Sequence, residues 1–256
     1  MMYQGIFDTH AHYADDAFAP DREELLARLP QEGVRYVMLA GCSVEDTKAC
    51  IALSERWPYI WCSAGVHPEY ADASLPEGWD EEIRTLARHE RIRAIGEIGL
   101  DYHYEGYDKE KQREVFCRQL MIARELDLPV ILHVRDAIAD ALEILREYRP
   151  RGVMHCYSGS AETAREVVSL GLYVGFTGVL TFKNARKAVE TMAMLPPDRI
   201  LLETDCPYMA PVPHRGKRCD SRMIAYTAEK GAQIRGMGTQ EFIDLCCENG
   251  KRLFGL

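Results

Sequence analysis

The chain contains no C-x-x-C pair, and its 9 cysteines are an odd number scattered from Cys42 to the adjacent Cys246 and Cys247. That spacing suits neither a disulfide framework nor a thiolate zinc site, and it points to reduced thiols. No apolar run approaches the roughly 20 uncharged residues that a bilayer crossing needs. Asp8 and His10 arrive before any hydrophobic stretch long enough for a secretory leader, so a cytoplasmic protein without membrane contact is the expectation. Basic residues are in deficit too, with 31 Lys plus Arg against 40 Asp plus Glu and a net charge of -9. This argues against coating duplex DNA through a broad basic face, while leaving room for a local basic groove. Linkers, low-complexity segments and internal repeats are also missing, which leaves one domain over residues 1–256. A single α/β barrel fills roughly 250 residues, and 47% hydrophobic with 28% charged residues supplies a sizeable core.

What the chain does have is alternation. Short apolar runs bounded by Gly, Pro or Asp predict strands over 5–10, 35–40, 60–65, 92–97, 129–134, 152–155, 172–176 and 199–204. Helical periodicity occupies 21–29, 44–56, 77–89, 109–127, 137–148, 161–170 and 184–195, and two more helices follow near the C-terminus. In the fourth of these, Phe116, Leu120, Ala123 and Leu126 form one apolar stripe against the sheet. Segments such as RAIGEIG and PVILHV are apolar on both faces, as expected of strands between a packed barrel interior and an outer layer of helices. Eight such units predict an α/β fold of the (β/α)₈ TIM-barrel type, with a doubly wound open sheet as the alternative.

The residues out of place in an apolar sheet gather at predicted strand ends. His10 and His12, in DTHAH, are two apart and share one side of the first strand. A bare H-x-H equally describes two hydrogen-bonded histidines in a loop. However, Glu97, His133, His155 and Asp205 fall at the ends of the fourth, fifth, sixth and eighth strands, where barrel active sites are built. Charged groups and imidazoles pointing into a barrel cost on the order of several kcal/mol each unless paired or metal-bound. Four His and two carboxylates are too many for one tetrahedral ion and suit two divalent cations about 3.5 to 4 Å apart, with Glu97 as the natural bridge.

Other residues carry two readings each. Arg135 shares a strand face with His133 and either holds a phosphate oxygen in its planar fork or forms a salt bridge to Asp136 that braces the loop. Arg215, Lys217 and Arg218 form either a substrate-phosphate cluster after the eighth strand or a solvated charge run. His67 is a substrate or ligand contact or else a structural hydrogen bond, while Tyr157, Tyr102, His103 and His214 are rim contacts. Glu203, two residues before Asp205, is expected one layer deeper, orienting a ligand histidine.

The motifs FDTHAH, GVHPE, AIGEIGLDY, LPVILHVRDA, MHCYSGS, LLETDCPY and RGKR, spread over nearly the whole chain, resemble the TatD family of metal-dependent deoxyribonucleases. The resemblance implies one ion on His10, His12, Glu97 and Asp205 and a second on Glu97, His133 and His155. From those ligands Asp205 is expected to be the base for an activated water, with Glu97 beside it, and Arg135, Arg215, Tyr157 and His67 are the expected substrate contacts. The substrate the resemblance implies is the end of a DNA strand. The ions would be Zn²⁺, Mn²⁺, Mg²⁺ or Ni²⁺, since nitrogen and oxygen ligands accept all four. RAIGEIGLD contains no lysine to carry a bridging carboxylate, which favours the nuclease branch over lactonase or dihydroorotase chemistry. One departure is that RGKR is followed by Cys219, Asp220 and Ser221 where the family has an Asn-x-Pro-like helix entry, and Asp220 or Ser221 is expected to cap that helix instead. Two competing readings are a hydrolase of a small ester, amide or nucleotide on the same barrel and a scaffold that keeps metals only for folding.

Overall fold

Eight parallel strands, hydrogen-bonded in sequence order, form the sheet of a computed structural model that describes residues 3–256. They are β1 Ile6–Ala11, β2 Val34–Leu39, β3 Ile60–Ala64, β4 Ile92–Asp101, β5 Val130–Arg135, β6 Gly152–Met154, β7 Tyr173–Phe176 and β8 Ile200–Leu202. Between and after them run α1 Arg22–Arg28, α2 Val44–Arg56, α3 Trp79–Leu86, α4 Lys109–Glu125, α5 Ile138–Tyr148, α6 Ala161–Ser169, α7 Arg186–Met194, α8 Ile224–Arg235 and α9 Thr239–Phe254. The chain just past β8 returns to β1. Ala11 and Cys206 form a parallel bridge, the Asp205 N–H donates to the His10 carbonyl at 2.9 Å, and the His12 N–H donates to the Cys206 carbonyl at 2.8 Å. The sheet is therefore a nearly closed (β/α)₈ barrel and not an open one. Among the described residues, no helix is long and apolar enough to cross a membrane.

Local chemistry sets the element boundaries. Ser43, Asp108 and Ser160 stand before α2, α4 and α6, and each accepts the backbone N–H three residues on, at 3.1, 2.9 and 3.1 Å. Asp220 accepts the Arg222 N–H at 3.0 Å and opens the turn that leads into α8, so the cap expected there is formed. Packing then follows the stripes. Phe116, Leu120 and Ala123 of α4 are buried between helices and strands, with Leu126 partly buried beside them. A second apolar cluster takes one buried side chain from every strand but β3, from Phe7 on β1 to Leu201 on β8, with Trp61 of β3 partly buried against it, and α9 closes it with Leu253 and Phe254. Each such side chain contributes about 1.5 to 3 kcal/mol on burial. α9 lies so close that a Cβ on Gly250 would stand 2.7 Å from the Phe7 ring, which explains a glycine inside that helix.

Six strands match their predicted bounds to within one residue, and two do not. β4 continues four residues past Glu97 to Asp101, because Ile98 and Leu100 are fully buried and keep the strand in the sheet. Gly99, with φ 148, lets β4 pass β5 where a Cβ would overlap the His133 carbonyl. β8 stops at Leu202, two residues early, because Thr204 turns to Asp8: Oδ1 of Asp8 accepts the Thr204 N–H at 2.9 Å and Oδ2 accepts its hydroxyl at 2.6 Å.

Asp8 is fully buried, and its Oδ2 also accepts the Ser221 hydroxyl at 2.6 Å, tying β1 to the segments on either side of RGKR. Burial pushes its carboxyl from 3.8 up to about 6, although the hydrogen bonds from Ser221, Thr204 and His10 pull the other way. The folded chain thus holds this proton more tightly than the unfolded chain. The stabilisation it brings is full below about pH 4 and is lost as pH rises through about 6. Urea unfolding at several pH values should show Asp8→Asn lacking that part of the wild-type slope. Asp8→Ala, which leaves buried donors without an acceptor, should cost about 3 kcal/mol or more.

Candidate metal centre

Six side chains converge at the C-terminal mouth of the barrel. His10 lies within β1 and His12 one residue beyond it; Glu97 lies within β4, His133 within β5, His155 just past β6 and Asp205 past β8. Asp205 does not stand on a strand, so alternation with Glu203 is not what aims it. Its φ of 61 and its backbone bond to His10 turn the carboxylate toward the histidines.

The distances describe two donor sets sharing one carboxylate. In the first, His10 Nε2 lies 3.1 Å from His12 Nε2 and 3.6 Å from Asp205 Oδ1, and His12 Nε2 lies 3.3 Å from Asp205 Oδ1. Glu97 Oε2 lies 3.2 Å from His10 Nε2 and 3.8 Å from His12 Nε2. Ligands about 2.05 Å from a tetrahedral ion stand about 3.3 Å apart, so this is the spacing of one coordination shell. In the second set, Glu97 Oε1 is 2.8 Å from both His133 Nδ1 and His155 Nε2, which are 3.3 Å apart. Each oxygen of Glu97 faces a different set.

Hydrogen bonding alone serves this cluster poorly. Two imidazole nitrogens 3.1 Å apart share one proton at most, and the buried rings of His10 and His155 stack with centroids 4.0 Å apart. Burial, reinforced by His155, pulls His10 down to about 4, so near neutrality it is an uncharged lone-pair donor of the kind a cation binds. Burial opposes ionisation of Glu97 and Asp205, yet the surrounding imidazoles outweigh it and hold both carboxyls below their ordinary values. The donor set fits divalent ions with mixed nitrogen and oxygen ligands.

Neighbours fix the imidazoles. Asp101 Oδ2 lies 3.1 Å from His133 Nε2, and although burial opposes it, this contact and Glu97 raise His133 to about 9. Glu203, fully buried and pushed up to about 7 by burial, stands 3.8 Å from His155 Nδ1 and accepts the Cys156 N–H. Cys42 Sγ stands 3.8 Å from His12 Nδ1. Asp101 and Cys42 were not picked out by sequence reasoning. A fourth strand read onward through its buried Ile98 and Leu100 ends at Asp101 and reveals it.

A cavity of about 750 Å³ opens above the cluster. His67 lines it, with Nε2 3.7 Å from Glu97 Oε1 and its ring edge-on to His133. Arg135 lines it as well, its guanidinium over the Tyr104 ring at 5.1 Å. The bracing salt bridge to Asp136 is not made, because Asp136 lies 2.8 Å from His103. Tyr157 is buried instead of standing on the rim, and its hydroxyl donates to the Ser160 carbonyl at 2.7 Å. Arg215 stacks on Phe182 at 4.4 Å outside the cavity wall, and Arg218 is held by Asp21 at 2.6 Å.

Competition with a chromophoric chelator checks these assignments. Asp101→Ala should weaken ion binding at the second set by about 10- to 100-fold while leaving the first intact. Glu97→Ala, which removes an oxygen from both sets, should weaken both.

The chain is 40% identical to the uncharacterized metal-dependent hydrolase YabD of Bacillus subtilis, over 97% of this chain and 98% of that protein. It is 36% identical to the 3'-5' ssDNA/RNA exonuclease TatD of Cronobacter sakazakii, over 97% of each. The crystal structure of YjjV, a TatD homologue from Escherichia coli K12, superposes with a TM-score of 0.93 at 29% identity over 100% of both chains. The family described as TatD related DNase matches residues 7–255, and the chain belongs to that family of metal-dependent hydrolases.

Proposed function

We propose that this hydrolase cleaves phosphodiester bonds at the end of a single-stranded nucleic acid, DNA foremost, using two divalent ions. The observation that carries the reading is Glu97, whose two oxygens face two separate donor sets on the floor of an open cavity. When bound, such a pair lowers the pKa of water and stabilises charge on the phosphate. Asp205, at the cavity floor, orients the attacking water and accepts its proton. Arg135 grips a phosphate oxygen through its planar fork, and His67 contacts the substrate beside His133. Tyr70, Tyr104 and Tyr208, exposed at 49%, 61% and 55%, line the cavity with aromatic faces that stack bases regardless of sequence. The Cronobacter relative's name supports the polymer and the single strand. Nine free cysteines suit a reducing compartment, and a cytoplasmic location belongs to the same reading.

A second reading, hydrolysis of a small phosphoester, is favoured by the charge of the wall. Asp15, Asp46, Glu69 and Asp101 surround the cavity against Arg135 alone, and Arg218 is already paired. The two readings separate on end-labelled single-stranded DNA assayed beside a small chromogenic phosphodiester, with Mg²⁺, Mn²⁺, Zn²⁺ or Ni²⁺ added in turn. The expected result is stepwise shortening of the DNA that weakens steeply with salt, whereas turnover of the small diester alone, insensitive to salt, would establish the second reading.

Within the first reading, Asp205→Asn should lose orders of magnitude in kcat with the fold intact, since an amide cannot accept the proton. Arg135→Lys should raise KM for DNA while metal content stays unchanged, because the charge is kept and the fork is lost. Metal analysis and steady-state kinetics on the two variants check both outcomes.

A further inference from the structure

We propose that Cys42 Sγ, His12 Nδ1 and Glu97 Oε2 form a binding site for a thiophilic divalent cation, and that this site and the first donor set cannot be filled together. Cys42 lies just after β2 in the cavity wall, its Sγ 3.8 Å from His12 Nδ1 and 3.9 Å from Glu97 Oε2. These residues group as possible ligands of one ion. A tetrahedral ion with bonds of about 2.3 Å to sulfur and about 2.05 Å to nitrogen or oxygen sets such donors about 3.6 Å apart. Cys42 Sγ stands within a few tenths of an ångström of that spacing from both partners, and the open cavity leaves a further corner to water. Thiolate ligation selects Cd²⁺ or Zn²⁺ over Mg²⁺ and Mn²⁺. Cys156 also reaches the cavity wall, but its Sγ faces Thr177 Oγ1 at 3.6 Å.

Exclusion follows from the imidazole. A neutral histidine has one lone pair. With Nε2 serving the first set, Nδ1 carries the proton and donates it toward Cys42 Sγ. With a soft ion on Nδ1, the proton sits on Nε2, which then no longer serves His10 and Asp205, and Glu97 Oε2 is withdrawn as well. Filling the site releases the thiol proton to solvent and moves the His12 proton from one ring nitrogen to the other. Excess soft metal would therefore disable the centre by occupying its own ligands. The exclusion rests on the two-ion reading, whereas the site itself does not.

Titrating metal-free protein with Cd²⁺ tests the site. A sulfur-to-cadmium ultraviolet band should grow to one equivalent, persist in Cys156→Ser and vanish in Cys42→Ser. Cadmium NMR of the wild type, which separates one sulfur ligand from none, reads the same point without a substitution. Absence of the band in wild type, or its survival in Cys42→Ser, overturns the site. On Mn²⁺-loaded protein, paramagnetic resonance should show one Mn²⁺ freed for each Cd²⁺ bound, in step with the band. A band that grows with no Mn²⁺ released overturns the exclusion, and a protein that never holds two Mn²⁺ counts against the two-ion reading while leaving the cadmium result to decide the site.

Discussion

The carboxylate of Glu97 is the group on which the rest of the site depends. It is nearly inaccessible to water, and a lone ionised carboxylate there would cost several kcal/mol. Five histidines, His10, His12, His67, His133 and His155, lie within 3.8 Å of its two oxygens, so the strands that carry them must meet at fixed heights. The barrel supplies that arrangement. β4 passes β5 at Gly99, β1 meets the chain after β8 at Ala11 and Cys206, and the surrounding apolar layers hold these strands against the electrostatic cost of the cluster.

For His133 and His12, the contact behind the ring decides which nitrogen faces inward. His133 turns Nδ1 toward Glu97 because Asp101 takes its Nε2, whereas His12 turns Nε2 inward and leaves Nδ1 to a cysteine. A carboxylate makes its imidazole a stronger donor than a thiol does. The two donor sets are therefore chemically unequal although they share a ligand, and of these two imidazoles His12 is the more weakly held.

The barrel was legible because buried parallel strands are apolar on both faces, which makes any histidine or carboxylate at their ends conspicuous. His10, His12, Glu97, His133 and His155 are visible in the sequence for that reason. Asp205 was legible as a charge at the end of the eighth strand, but a left-handed backbone turn beyond that strand aims it, with its N–H bonded to His10 of β1. Asp101 was hidden because Glu97, a charge inside a strand, looked like the strand's end. Cys42 was hidden because a lone thiol is usually a small apolar filler. The rim resisted altogether. Whether Tyr157 points inward or Arg215 leans on Phe182 depends on turns and stacking partners far along the chain.

The seam between β1 and the segment after β8 also joins residues far apart in the chain. The donors of the second set, Glu97, His133 and His155, are complete once residue 155 has been synthesised, whereas the first set joins His10 and His12 to Asp205 across most of the chain. In chain order, one set of donors is therefore present well before the other. The backbone bonds that close the barrel, from Asp205 to His10 and from His12 to Cys206, are the same ones that finish the later set. Ring closure and completion of the His10, His12 and Asp205 set therefore draw on the same contacts between the two ends of the chain.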